Sequence, residues 1–167
     1  SSTRSHLFMK TTISGTLRIA LRSFDGEWRW SRKKSVKVPA NACKLLFTIE
    51  SDQYDSCDKS AHYLHAQFFV DAAVVSENRC FFEEPKRLRL PPAHVSVIVK
   101  TGHDAACRLS VTADRFVKYL RLEVDGEDVI FGDNYFDLDA GGKKEIQVLS
   151  KLGAEELQRR LQLTWLT

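Results

Sequence analysis

Several kinds of side chain in this sequence could carry chemistry, and their spacing decides which could act together. Cys43, Cys57, Cys80 and Cys107 are widely separated, with no Cys-x-x-Cys pair and no His at zinc-finger spacing, so no metal site is expected. None has an adjacent His, no Gly-x-Ser-x-Gly elbow occurs, and Gly141-Gly142 lacks the Lys-Ser/Thr element of a phosphate loop, so no catalytic residue and no cofactor is expected. His62 and His65 would share one face of a helix, but on a strand their spacing puts them on opposite faces. Two charge runs stand out. Arg29, Arg32, Lys33, Lys34 and Lys37 contain no acid between them, whereas Glu123, Asp125, Glu127, Asp128, Asp133, Asp137 and Asp139 are acidic. A phosphate patch and a calcium site are the functional readings; a solvated strand face and unpatterned surface acids are the plainer ones, and they are favoured. Stacking rings hold sugar faces, because they offer apolar area at little entropy cost. Trp28 and Trp30 are expected on the same side of one strand; packing in the core or against another domain is the plainer and favoured reading, and if that side faces solvent they form a candidate sugar platform, with Tyr54 and Tyr135 as exposed-loop aromatics.

The elements that would position these residues are strands. Leu17, Ile19 and Leu21 alternate with Arg18, Ala20 and Arg22, and the same period recurs in Val36/Val38, Leu45/Phe47/Ile49, Leu64/Ala66/Phe68/Val70, Val95/Val97/Val99, Cys107/Leu109/Val111, Leu120/Leu122/Val124 and Ile146/Val148. Each set reads as the buried face of a strand. Turn chemistry falls between them at Asp25-Gly26, Pro39, Pro85, Pro91-Pro92, Asp125-Gly126 and Gly141-Gly142. Only 154–160 carries a run of helix formers, barely two turns long. The expectation is an all-β fold: an antiparallel two-sheet immunoglobulin-like β-sandwich of about nine strands with at most one short helix near 154–160. Residues 1–11 are expected to be an N-terminal connecting segment and 12–167 a single domain. Its apolar Leu7, Phe8 and Met9 predict a docking patch and weak self-association.

The chain has 167 residues, 43% hydrophobic and 28% charged, with a net charge of +3. That is globular composition, not the signature of disorder. No apolar run is long enough to span a membrane as a helix, and a near-neutral chain with an acidic stretch is a poor nucleic-acid footprint, so neither partner is expected. The chain begins without Met, which suggests a removed leader or a piece of a longer polypeptide. The pairing of the four cysteines is open, and the compartment with it.

Two stretches carry a resemblance. Residues 76–90, Ser-Glu-Asn-Arg-Cys-Phe-Phe-Glu-Glu-Pro-Lys-Arg-Leu-Arg-Leu, and the element Asp133-Asn134-Tyr135-Phe136-Asp137-Leu138 resemble the C-terminal immunoglobulin-like domain of β-mannosidases of glycoside hydrolase family two. The family's second element continues Pro-Gly-Glu; here Ala140-Gly141-Gly142 follows instead. By this resemblance the chain would be a non-catalytic domain whose partners are the catalytic barrel and other domains of the same polypeptide. The parent would remove terminal β-linked mannose by a retaining mechanism and would be periplasmic, secreted or lysosomal. The family's acid/base follows an Asn, and no Asn-Glu pair occurs here. An independent carbohydrate-binding module is the alternative. For residues 133–138 a structural corner is expected: Asp133 and Asn134 bonding to local backbone, Tyr135 or Phe136 in the core, and Asp137 bracing the following turn.

Overall fold

The computed structural model describes the backbone of residues 2–9, 12–39, 42–102 and 106–167, and the side chains of 12–39, 48–102 and 106–167. The chain divides into two compact units, one of Ser1–Ser23 with Glu27–Arg89 and one of Phe24–Gly26 with Leu90–Thr167. The single domain expected from residue 12 is therefore two. Period-two alternation is the same in one large sandwich and in two small ones, and no linker composition marks the boundary near Pro91-Pro92.

Unit 1 holds strands β1 (Ser2–Met9), β2 (Ile13–Ser23), β3 (Trp28–Val38), β4 (Ala42–Glu50), β5 (His62–Val70) and β6 (Ala73–Phe81). They form a four-stranded antiparallel sheet in the order β3-β2-β5-β6 and a two-stranded sheet β1-β4. The expected connecting segment 1–11 thus contains a strand. Leu7, Phe8 and Met9 pair with β4 through their backbone, but their side chains, and the docking patch predicted from them, lie outside the described residues. The core of unit 1 gathers Leu17, Ile19, Leu21, Val38, Ile49, Tyr54, Leu64 and Phe68, one face of the period-two pattern. Tyr54 lies in the loop after β4 but is buried and stacked on Phe82 at 4.9 Å between ring centroids, so it is not the exposed aromatic expected; burial of a ring offsets the polar sequence around it.

The β5–β6 hairpin turns through Asp71 and Ala72, both with positive φ, 49° and 65°. A two-residue turn of this hand favours Asn-Gly, because a Cβ in the left-handed region costs about 1–2 kcal/mol. Ala72→Gly is expected to raise the stability of unit 1 by roughly 0.5–1 kcal/mol after the extra chain entropy of glycine, read as a higher urea midpoint.

Unit 2 holds β7 (Val95–Thr101), β8 (Ala106–Ala113), β9 (Val117–Val124), β10 (Ile130–Phe131), β11 (Phe136–Leu138), β12 (Lys143–Leu149), α1 (Ala154–Arg160) and β13 (Leu161–Leu166). A sheet in the order β10-β12-β8-β7 and one in the order β11-β9-β13 bury Leu109, Val111, Val117, Leu120, Leu122, Ile146, Val148 and Leu157. This is the antiparallel immunoglobulin-like arrangement expected. The helix lies at 154–160, as its composition predicts, with Glu155 and Glu156 in the first turn and Arg159 and Arg160 in the last, the arrangement its dipole favours. Its Gln158 accepts from Val99 N–H at 2.8 Å and donates to Val97 O at 3.1 Å, which occupies backbone groups of the edge strand β7.

The described residues form thirteen strands rather than about nine. The additional ones are β1, in the expected connecting segment, and three that alternation cannot reveal: β10 and β11 are two and three residues long, and β6 is exposed along most of its length. No helix among the described residues is long and apolar enough to cross a membrane.

Candidate functional site

A bulge in the β2–β3 pairing decides what the candidate sugar platform can be. Leu21 pairs with Trp30, yet the next residue, Arg22, pairs with Trp28, so Arg29 is the extra residue of the bulged strand. That insertion puts Trp28 and Trp30 on opposite faces of the sheet, against the expectation of a shared face. Trp30 turns inward, packing against the core of unit 1 and donating its indole N–H to Gln53 O at 3.0 Å. Trp28 turns outward and stays 46% exposed, with the Arg18 and Arg22 guanidinium carbons 5.0 and 4.5 Å from its ring centre. A flat two-ring surface is thus not formed.

The outer face around Trp28 is polar and ordered. Arg18 donates to Gln67 Oε1 through Nε at 3.2 Å and again through Nη2, and its guanidinium lies 4.9 Å from the Phe69 ring. Buried His65 lies 3.4 Å through Nδ1 from Arg22 and 3.0 Å through Nε2 from Glu77. His62 and His65 do lie apart, as strand spacing requires. His62 Nε2 accepts from Arg29 Nε at 3.2 Å, and its Nδ1 is 2.8 Å from Asp58 O, which suits a neutral ring protonated at Nδ1. Burial, with the Arg29 charge second, holds the His62 imidazole below its ordinary value of 6.5. The unfolded chain therefore takes up a proton that the folded chain resists, so stability that is full above about pH 6.5, the unfolded value, is lost as pH falls below it toward the lower folded value. His62→Gln is expected to flatten this part of the pH profile of unit 1, measured as urea midpoints between pH 5 and pH 8.

Cys57, Cys80 and Cys107 are free thiols, and burial pushes those of Cys57 and Cys80 up, which disfavours the nucleophilic thiolate. Cys43 lies outside the described side chains. In unit 2 four of the seven acids of this run pair with cations: Asp137 with Lys118, Asp133 with Lys144, Glu123 with Arg121 and Glu127 with Arg160. These acids brace strands and do not converge as a calcium loop.

The element 133–138 is built as a corner against β9. Asn134 Oδ1 accepts from Leu122 N–H at 2.8 Å and Nδ2 donates to Leu122 O at 2.9 Å, while Asp133 Oδ1 accepts from Asn134 N–H at 2.8 Å. Phe136 and Leu138 are buried, and Tyr135 projects outward, 62% exposed with φ 57°. Contrary to expectation, Asp137 does not brace the following turn but bonds back to β9. Its Oδ1 accepts from Tyr119 N–H at 3.0 Å and its Oδ2 from Lys118 Nζ at 3.2 Å, which holds the β9 bulge in which Tyr119 has φ 55°. The turn that follows relies on Gly141 at φ 70° where the resembling family has proline and glycine.

Both units have counterparts among known families. Residues 8–87 match the mannosidase Ig/CBM-like domain, and residues 90–167 match the Ig-fold domain of mannosidases. The chain is a pair of mannosidase Ig-like domains. The first match ends at residue 87 and the second begins at residue 90, which brackets the division between the units at Arg89 and Leu90. No curated protein matches the chain in sequence. Among solved structures, the β-D-mannosidase from Dictyoglomus thermophilum is similar with a TM-score of 0.82 at 19% identity, over 99% of this chain and 21% of that one. The exo-chitosanase CsxA of Amycolatopsis orientalis gives 0.63 at 13% identity, over 98% and 24%. At these identities the likeness is one of fold, and the Ig-like pair spans about a fifth to a quarter of the structures it matches.

Proposed function

We propose that this Ig-like pair is the non-catalytic C-terminal part of a larger glycoside hydrolase of the β-mannosidase type, whose barrel removes terminal β-linked mannose with retention. The observation that supports this reading most strongly is that residues 8–87 and 90–167 each match a mannosidase Ig-like family. Retaining hydrolysis needs two carboxylates about 5–5.5 Å apart, one as nucleophile and one as acid/base. In this chain Asp133 and Asp137 are instead ion-paired with lysines, and the Asn-Glu pair of the family's acid/base is missing from the sequence. The partners are the barrel and the remaining domains of the same polypeptide. The purified chain is expected to release no nitrophenol from an aryl β-mannoside above a heat-treated control; turnover by the pure chain would refute the assignment of the chemistry to other domains.

A further inference from the structure

An open groove of about 790 Å³ crosses the outer face of the four-stranded sheet of unit 1, lined among others by Arg18, Lys33, Lys37, Ser35, Phe69 and Asp71. We propose that this groove binds an oligosaccharide bearing sulfate or carboxylate groups, with Arg18 and Lys33 as its anion contacts and Phe69 and Trp28 flanking the chain of rings. The inference rests on unit 1 alone and is independent of the activity of any parent enzyme.

Three observations carry it. Arg18 and Lys33 are direct cross-strand partners, a like-charge pairing that costs stability in a sheet, and Lys33 has no ion-pair partner among the described residues. Blunting an edge explains lysines on β3, which is an edge strand, but it does not explain an arginine on the interior strand β2 beside them. Second, Arg18 is fixed in advance. Gln67 holds Nε and Nη2, the Trp28 and Phe69 rings lie at 5.0 and 4.9 Å from its guanidinium carbon, and Nη1 has no partner among the described residues. Ordering an arginine before the ligand arrives removes much of the entropy cost of a charge-assisted hydrogen bond. Third, the groove's volume lies in the range of small-ligand sites, and it offers the hydroxyls of Ser14, Thr16 and Ser35 and an aromatic ring beside three cations and the single carboxylate of Asp71. That mixture of hydroxyl, ring and separated cations matches a charged saccharide. A nucleic acid would instead call for a run of stacking rings along a basic track.

The test is titration of the full 167-residue chain with a sulfated, uronate-containing tetrasaccharide from heparin, followed by tryptophan fluorescence at low and moderate salt. Mannotetraose, inorganic sulfate and a single-stranded oligonucleotide of equal charge are run alongside. The sulfated tetrasaccharide is expected to bind with an affinity that falls as salt rises, and the oligonucleotide to bind at least tenfold more weakly. Lys33→Gln and Arg18→Gln should each weaken the tetrasaccharide tenfold or more. Trp28→Phe should remove most of the fluorescence change. Lys34→Gln is the control: Lys34 pairs with Leu17 on the opposite face of the same strand and should leave binding within twofold. Urea midpoints establish that each variant is folded, and Lys33→Gln, which relieves a like-charge pair, should not lower its own. Equal loss in Lys33→Gln and Lys34→Gln would overturn the proposal in favour of diffuse charge attraction. So would equally tight binding of mannotetraose, of sulfate alone or of the oligonucleotide, or no binding of the tetrasaccharide at low salt.

Discussion

Asp137→Ala is expected to cost unit 2 about 3 kcal/mol, the lower end of the range for removing one partner of a buried ion pair. The Lys118 side chain is only 5% exposed, and Asp137 supplies its carboxylate at 3.2 Å while also accepting the Tyr119 N–H. Removing the carboxylate therefore takes an anionic partner from a buried ammonium and releases a bulge that holds Tyr119 in the left-handed region. Asp137→Asn keeps an acceptor for Tyr119 and loses the charge, and it should fall between the two. The check is urea unfolding followed by Trp165 fluorescence in a Trp28→Phe, Trp30→Phe background, with a midpoint lower by about 2 M at the m-values of small domains. A midpoint unchanged by Asp137→Ala would show that the corner contributes nothing to stability.

Gly15→Val is expected to be the most damaging substitution in unit 1, at about 3 kcal/mol or more. A Cβ on Gly15 would lie 2.3 Å from Phe69 O and 2.7 Å from Cζ of Phe68. The first neighbour is backbone of the paired strand β5, which can yield only by breaking the β2–β5 ladder, and the second is a ring of the core. Gly153→Ala is the comparison: nothing lies within 4 Å of a Cβ there, and the loss should stay at or below about 1 kcal/mol, the cost of alanine at the N-cap of α1. Circular dichroism in urea reads both variants.

What was legible in the sequence followed the burial pattern. Leu17, Ile19 and Leu21, or Leu120, Leu122 and Val124, alternate because one sheet face is buried and the other wet, and the structure buries the residues so marked. The helix at 154–160 was legible from propensity. The division into two units was not, because each small sandwich repeats the same alternation. Nor was the fate of the tryptophans, since a one-residue bulge at Arg29 reverses the facing of everything beyond it and no residue type announces it. Of the groove, Lys33 and Lys37 were visible within the basic run, but Arg18 looked like an ordinary solvent-side residue. The signal for the rest was Phe69, an aromatic placed out of phase beside core Phe68, on a face where alternation calls for a polar residue. In the element 133–138 the sequence told which types could bond to backbone; that Asn134 and Asp137 would spend those bonds on β9 depended on a pairing between segments distant along the chain.

The central claim, that this Ig-like pair is the C-terminal part of a larger β-mannosidase-type hydrolase, is tested most directly by the length and content of the natural reading frame. Several hundred further codons are expected in the frame upstream of Ser1, encoding a barrel with an Asn-Glu acid/base pair. A frame that encodes little more than these 167 residues, or one in which the upstream codons specify no glycosidase barrel, would contradict it.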